Sequence, residues 1–452
     1  MSLVTKYNIP GPRYTSYPTV PYWKESSFSA DRWIATLRKS FKESNSTEGI
    51  SIYIHLPFCE SLCTFCACHK RITKRHDVEN PYVDTLLKEW KMYTDILGER
   101  PRIKELHLGG GTPTFFQARN LQRLLEGIFE SANINTNPEF SFEGHPNNTT
   151  VQHLETLYNM GFRRVSFGVQ DYDPKVQETI NRIQPFEKVQ QVTDMARALG
   201  YASISHDLVF GLPHQTWERM EHTIEKTISL KPDRIAFYSY AHVPWVKGVG
   251  QRGFDEQDLP APELKRALYE KGKQLLLDLG YVEIGMDHFS LPTDKLYESV
   301  LNKTIHRNFM GYSSSATQLM IGLGMSAISD SWYAFAQNDK SVEEYTESIN
   351  KGDLPVFRGH ILNKEDLVVR KHILNLMCNL ETSWQKESMQ LPEMPEILER
   401  LQEMQLDGLV EIADNHLLIT EKGRTFARNI AMAFDLRLLR KQPQTRIFSM
   451  TV

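Results

Sequence analysis

Four of the chain's five cysteines lie within ten residues: Cys59, Cys63, Cys66 and Cys68, in FCESLCTFCACHK (58–70). The first three are spaced C-x3-C-x2-C, and Cys68 adds a C-x-C ending. Zinc sites are usually built from two separated pairs, and the sequence holds no second pair. Cys378 stands alone in a helical pattern and reads as a small buried hydrophobe. A structural zinc would take every ligand from one short loop, with His69 a candidate fourth. Three closely spaced thiolates can instead ligate three irons of a 4Fe–4S cube, leaving the fourth iron open to a non-protein ligand. On that reading Cys68 is surplus or has a task of its own. One strand further on, LHLGGGTPT (106–114) carries Gly109, Gly110 and Gly111, which let backbone approach a ligand closely. Alone they would read as a tight turn.

The cysteine loop follows the apolar run SIYIHLP (51–57), which would place it at the end of a strand. Similar runs at 105–110, 139–146, 164–170, 203–213 and 234–240 alternate with helical patterns at 81–97, 118–130 and 185–200. Pro81 suits a first helical position, and Gly200 suits a left-handed cap. Strands alternating with helices imply parallel pairing and right-handed crossovers. Six such units predict an α/β fold, a partial (β/α)6 TIM-like barrel. An open doubly wound sheet ranks second, because polar residues recur at the C-terminal ends of several strands, where barrel enzymes assemble their sites.

Residues 49–330 hold this barrel and its extension. Residues 1–48, with Pro10, Pro12, Pro18 and Pro21, read as an extended arm wrapping the active site. Residues 331–452 read as a mostly helical C-terminal domain. Its hairpin VEIADNHLLIT turns at Asp414-Asn415, giving a winged-helix-like outline. Acidic residues spread through that domain, and no basic stripe marks a nucleic-acid face, so a packing role is expected. The 452 residues are 40% hydrophobic and 24% charged, with net charge -4. This balance favours neither nucleic acid nor an anionic membrane as partner. No secretory signal or membrane-spanning run is read, and clustered cysteines do not make a disulfide framework, so the cytoplasm is expected.

A C-x3-C-x2-C loop after a first strand, with Phe65 before its third cysteine and a glycine-rich motif one strand later, resembles the radical S-adenosylmethionine superfamily. The resemblance narrows through PGPRYTSYPT (10–19), IHLPFC (54–59), the C-x-C at Cys68, GVQDYD (168–173), NRIQ (181–184) and DLVFGLPHQT (207–216). SYAHVP (239–244), GMDHF (285–289), HRNFMGY (306–312) and GMSAIS (324–329) extend it. Together they are similar to the oxygen-independent coproporphyrinogen III oxidases, over nearly the whole chain. The haem-handling relatives of that family, which deliver haem to a partner, are the alternative. They usually lack both the arm and the fourth cysteine.

The resemblance implies that a reduced 4Fe–4S cluster cleaves S-adenosylmethionine to methionine and a 5′-deoxyadenosyl radical. The radical takes a hydrogen from a propionate β-carbon, and loss of carbon dioxide and an electron leaves a vinyl group. Two propionates of coproporphyrinogen III react, giving protoporphyrinogen IX. Cys59, Cys63 and Cys66 would ligate the cluster. Tyr53, Phe65, Gly110, Gly111, Thr112, Glu143, Gln170, Arg182, Asp207, Ala241 and Ile328 would line two S-adenosylmethionine sites, Ala241 and Ile328 largely through backbone. Cys68 and Tyr53 would have catalytic roles. An electron donor, a final acceptor and a monomeric state are also expected.

Four substrate carboxylates call for cations, and Arg13, Arg307, Lys70 and Arg71 are candidates. Tyr14 and Tyr17 would close over the substrate if the arm folds back as a lid. His55, His107, His145, His206 and His242, near strand ends, read mostly as satisfied polar residues, while His288 and His306 invite mutation. Two departures from the family pattern stand out: Ala67 replaces a common glycine, and Gly144 is expected to loosen its strand end.

Overall fold

The structure is a computed structural model that describes residues 2–23, 28–244, 250–443 and 447–451. Six parallel strands form its centre: β1 (Ile50–Leu56), β2 (Arg102–Gly110), β3 (Asn133–Gly144), β4 (Arg164–Gln170), β5 (Ser203–Phe210) and β6 (Arg234–Ser239). Six further strands complete one sheet: β7 (Val282–Gly285), β8 (His288–Ser290), β9 (Leu319–Leu323), β10 (Ile328–Asp330), β11 (Ala334–Asn338) and β12 (Val356–Ile361). Its order is β12-β11-β10-β9-β1-β2-β3-β4-β5-β6-β8-β7. The six-unit parallel run is the partial barrel that the strand–helix alternation predicts.

Crossover helices cover the outer face: α2 (Glu79–Leu97), α3 (Ala118–Glu130), α4 (Val151–Asn159), α5 (Phe186–Leu199), α6 (Trp217–Ser229) and α7 (Pro262–Asp278). Their apolar stripes and the outward residues of the strands make one layer, with Ile52, Leu106, Leu108, Phe142 and Val165 facing Leu86, Trp90, Leu121 and Leu124. β1 is buried on both faces apart from Tyr53, as a central parallel strand should be. Segment 313–315 crosses the lower end of the lumen, where Ser313, Ser315 and Ser51 hydroxyls donate to the buried Glu105 carboxylate.

The arm is more than an extended segment. Residues Ala30–Ser44 form helix α1, capped by the Ser29 side chain, and its Trp33, Leu37 and Phe41 enter the barrel's outer layer. The sheet also runs through β12, past the division expected at residue 330. Beyond it, α9 (Lys364–Asn379), α10 (Met394–Leu406) and α11 (Ala427–Phe434) pack with a three-stranded sheet, α8 being Val342–Lys351. Asp414 and Asn415 both take positive φ and close the hairpin of that sheet. Tyr14 and Tyr17, expected as lid residues, are each only 2% exposed and belong to this C-terminal core; Tyr14 donates to Asp435 at 3.0 Å. No helix among the described residues is long and apolar enough to cross a membrane.

Candidate active site

The cysteine loop leaves the C-terminal end of β1 and is tied down at both ends. Phe58 and Cys59 pair with Arg71 and Ile72, the Thr73 amide donates to the Cys59 carbonyl at 2.9 Å, and Gly111 N–H donates to Leu56 at 2.9 Å. Across the mouth, Thr64 donates to Ile180 and Thr179 carbonyls, and Asn181 donates to Leu62 at 2.7 Å. The short helix Pro174–Thr179 therefore grips the loop from the far side.

None of the five cysteines is disulfide-bonded. Burial pushes the Cys59 thiol up to about 11, partly offset by the Thr112 hydroxyl 3.3 Å away. Cys66 is pulled the other way, to about 6, chiefly by a hydrogen bond from Cys68, whose own thiol the pairing pushes up. Cys68 is open to solvent. Among the described residues no three Cys, His, Asp or Glu side chains gather closely enough for a single metal ion. Zinc–sulfur bonds of about 2.3 Å demand such a gathering. A cube spreads its ligands over separate irons and does not.

The glycine run seats against this loop. Gly110 has φ +120, and a Cβ at Gly111 would penetrate the Pro57 carbonyl and stand 3.0 Å from Cys59 Sγ. Gly111→Ala is therefore expected to cut cluster occupancy at least about tenfold, read as iron bound per chain. Wild-type iron content in that variant would show that the close approach is not needed.

A Cβ on Gly109 would meet the Tyr53 ring, Glu143 Oε1 and His107 Nε2, all at 3.0–3.2 Å, so these three side chains converge there. Tyr53 stacks on His107, and its hydroxyl lies 3.0 Å from His55 Nδ1. His55 Nε2 is held by the His69 carbonyl, and burial pushes this ring down to about 4, so it is neutral. His107 spans Ser141, at 2.8 Å, and Glu143, at 3.4 Å.

Gln170 and Arg182 meet over Gly168. Arg182 Nη2 donates to the Gly168 carbonyl at 2.6 Å, and Nη1 reaches Cys63 Sγ at 3.7 Å. Its Nε is buried and has no hydrogen-bond partner among the described residues. Gln170 takes φ +70, a strained conformation for a non-glycine residue. Asp207 accepts from Ser166 at 2.8 Å. Burial pushes its carboxyl up to about 7; Ser166 opposes this, Glu143 adds to it and Arg182 opposes it.

Gln251, which the sequence did not single out, ties two predicted positions together. It donates to Phe65 and Ala241 carbonyls at 3.2 and 2.8 Å and accepts from Val243 N–H at 2.6 Å. Gly250 N–H also donates to the Cys66 carbonyl. Ile328 backbone packs on Gly322, the register partner of Tyr53, while its side chain turns toward Trp23 and Phe335. Cys59, Cys63, Cys66, Cys68, Thr112, Gly110 and Gly111 thus share the mouth with Tyr53, Glu143, Gln170 and Arg182. Asp207 lies one step lower, facing a cavity of about 100 Å³ that Glu143 also lines.

Some expectations do not hold. Arg71 pairs with Glu343 at the surface, and Lys70 caps the Cys66 and Cys68 carbonyls. Gly144 does not loosen its strand: it pairs with Phe167, whose ring leaves no room for a Cβ. His306 faces a wider cavity, about 760 Å³, at the opposite end of the barrel, which none of the predicted site residues lines.

The donor set fits the cofactors expected of it: three thiols on one anchored loop, a glycine cradle against Cys59, and a buried guanidinium nitrogen awaiting an acceptor. Residues 53–227 match the Radical SAM superfamily, and the barrel with its cysteine loop places the chain in that class. Over 443 residues it is 37% identical to an oxygen-independent coproporphyrinogen III oxidase of Helicobacter pylori, with 96% of each covered. The same enzyme of Pseudomonas aeruginosa is 35% identical, with 98% of each covered. The solved coproporphyrinogen III oxidase of Escherichia coli, described as a radical SAM enzyme, superposes with a TM-score of 0.89 at 33% identity, over 94% of this chain and 97% of that one. The chain belongs to the oxygen-independent coproporphyrinogen III oxidase family.

Proposed function

We propose that this protein converts two propionates of coproporphyrinogen III to vinyl groups without oxygen, giving protoporphyrinogen IX. The observation that carries the reading is the C-x3-C-x2-C loop anchored at the end of β1, against the glycine cradle at the end of β2, in a chain that matches this family nearly end to end. Cys59, Cys63 and Cys66 would hold a 4Fe–4S cluster, which together with S-adenosylmethionine would supply the radical chemistry that removes a propionate hydrogen.

The chain's own residues bind and orient. Thr112 and the Gly110–Gly111 backbone receive the amino-acid end of S-adenosylmethionine, and Arg182 Nε meets a carboxylate. Glu143 and Asp207 accept from ribose hydroxyls or an ammonium. Phe65, fixed by Gln251, packs on adenine. Two S-adenosylmethionine molecules share these positions, with Gln170, Ala241 and Ile328 on the walls. Tyr53 is held by His55 and His107 toward the Cys68 side of the mouth, where both can act on the substrate.

The test is anaerobic reconstitution with iron and sulfide, followed by S-adenosylmethionine, a reductant and coproporphyrinogen III. Vinyl product with 5′-deoxyadenosine release is expected. Haem binding without turnover would favour the haem-handling alternative.

Asp207 gives this reading a pH signature. Its raised carboxyl is neutral below about pH 7 and charged above it. S-adenosylmethionine affinity is therefore expected to rise from pH 6 to 8, because the cationic ligand favours the charged form. Asp207→Asn should flatten that rise in equilibrium dialysis; an unchanged profile would remove Asp207 from the binding site.

A further inference from the structure

The lumen cavity of about 100 Å³ is lined in part by Glu143, Asp207, Tyr238, His288 and Tyr312. It has room for one side chain of a ligand, not for a macrocycle. His288 and Tyr312 belong to its wall, and Arg307 packs on Tyr312 from outside the lining. In this group three buried nitrogens have no hydrogen-bond partner among the described residues: His288 Nδ1, Arg307 Nε and Arg307 Nη1. They belong to one cluster. The Tyr312 ring lies 4.6 Å from the Arg307 guanidinium and meets the His288 ring edge-on at 5.3 Å.

Arg307 is 4% exposed, and among the described residues it forms no ion pair. Its Nη2 donates to the Arg13 carbonyl at 3.2 Å. Asp287, the carboxylate facing this cluster, is already paired with the Arg13 guanidinium. Arg164 also lines the cavity, and it meets Glu139 only at 3.7 Å. Burial and the neighbouring Arg307 keep the His288 ring neutral. The Tyr238 hydroxyl lies 3.3 Å from Nε2, and the tautomer in which Nε2 accepts from it leaves the hydrogen on Nδ1, free to face a bound acceptor. Two donors of one cationic group, with His288 Nδ1 beside them, thus stand buried with no partner among the described residues. Buried charges and donors are costly unless paired, so the cluster calls for an anion from outside the chain.

We propose that Arg307 and His288 form the seat of one propionate carboxylate of the substrate, with Arg13 of the arm closing over it. The inference rests on the proposed function, which supplies a tetracarboxylate ligand, and on the cavity, which admits only a side chain of it. The seat would hold one edge of the macrocycle and leave the opposite edge to face the cysteine loop. Arg307 and His288 are then positioning and specificity residues.

The test uses the full chain with its cluster reconstituted, and two fluorescent probes: coproporphyrin III and its tetra-amide, which keeps the shape and loses the charges. Wild type is expected to prefer the acid. Arg307→Gln should lose roughly 10- to 100-fold of affinity for the acid, the range of a hydrogen bond to a charged group, and little for the amide. Arg307→Lys should recover part of the loss, and His288→Phe should weaken acid binding less than Arg307→Gln does. Iron content and S-adenosylmethionine affinity should stay at wild-type values. Equal losses for acid and amide, or none in any variant, would overturn the seat. If Arg307→Gln does not fold, the acid-to-amide ratio of Arg307→Lys decides the matter: an unchanged ratio overturns the seat and a lowered one supports it. Wild type that binds neither probe would overturn the proposed function itself, a result distinct from loss of the seat alone.

Discussion

Cys63→Ala is expected to leave a folded protein that assembles no cluster and has no measurable turnover, whereas Cys68→Ala keeps full iron content. Cys63 lies on the anchored loop with Arg182 Nη1 3.7 Å from its sulfur, so its loss would remove both a proposed ligand and one of the two partners of that guanidinium named above. Cys59 and Cys66 should behave alike, since a three-thiolate cradle has no spare ligand. Cys68 stands apart. It lies beyond the C-x3-C-x2-C unit, opens to solvent, and faces the Tyr53 and Glu143 side of the mouth. Its removal should lower turnover roughly 100-fold, the low end for a positioned proton-transfer group, with cluster content and S-adenosylmethionine affinity preserved. Iron content, visible absorption and 5′-deoxyadenosine release, measured side by side, separate the two outcomes. Loss of iron from Cys68→Ala would make it a ligand and undo the division of the four cysteines.

That all four thiols share one loop was legible in the sequence, because they lie within ten residues of each other. The barrel was legible for a related reason. Patterns of period 3.6 and of buried apolar runs are local, so Ala118–Glu130 and Arg164–Gln170 appear where the pattern puts them. β3 begins earlier than expected, at Asn133, because its first residues are polar and largely exposed, and pairing with Arg102 and Ile103 defines them as strand. Gln251 left no signal. It acts on Phe65 through a backbone carbonyl 186 residues away, and neither a carbonyl nor a fold-dependent distance is written in residue type. The arm misled for a similar reason. Its tyrosines look like lid residues until the C-terminal domain supplies a core for them. His288 and His306 look equivalent in sequence, yet one lines the lumen and the other the cavity at the far end. Only the sheet's geometry separates them.

Arg428→Met should release the arm while leaving the barrel folded. Arg428, on α11, is buried and is met by carbonyls: Nε donates to Pro12 at 2.9 Å, Nη2 to Gly11, and Nη1 to Met450 at 2.9 Å. Those carbonyls belong to two chain segments far apart in sequence, which pair at Pro10 and Met450, with Gly11 N–H donating to Ser449 and Thr451 N–H to Ile9. One guanidinium thus fastens the arm and the C-terminal tail to the same helix. Methionine keeps the apolar bulk but orphans two buried carbonyls and a part-buried one, at about 1–3 kcal/mol for each buried group. Burial already pulls Arg428 down to about 9, so losing the charge returns part of that. The net cost should be about 2–4 kcal/mol, concentrated in the arm, because the barrel's own core does not include these contacts. Hydrogen exchange should show Gly11 and Thr451 amides losing protection while strands β1–β4 keep theirs. Trypsin should gain access to Arg13, whose pairing with Asp287 depends on where Pro12 is held. Coproporphyrin III affinity should then fall as it does in Arg307→Gln, since a loose arm cannot close the carboxylate seat. An arm that stays protected in Arg428→Met would show that Tyr14, Tyr17 and α1 hold it without the arginine.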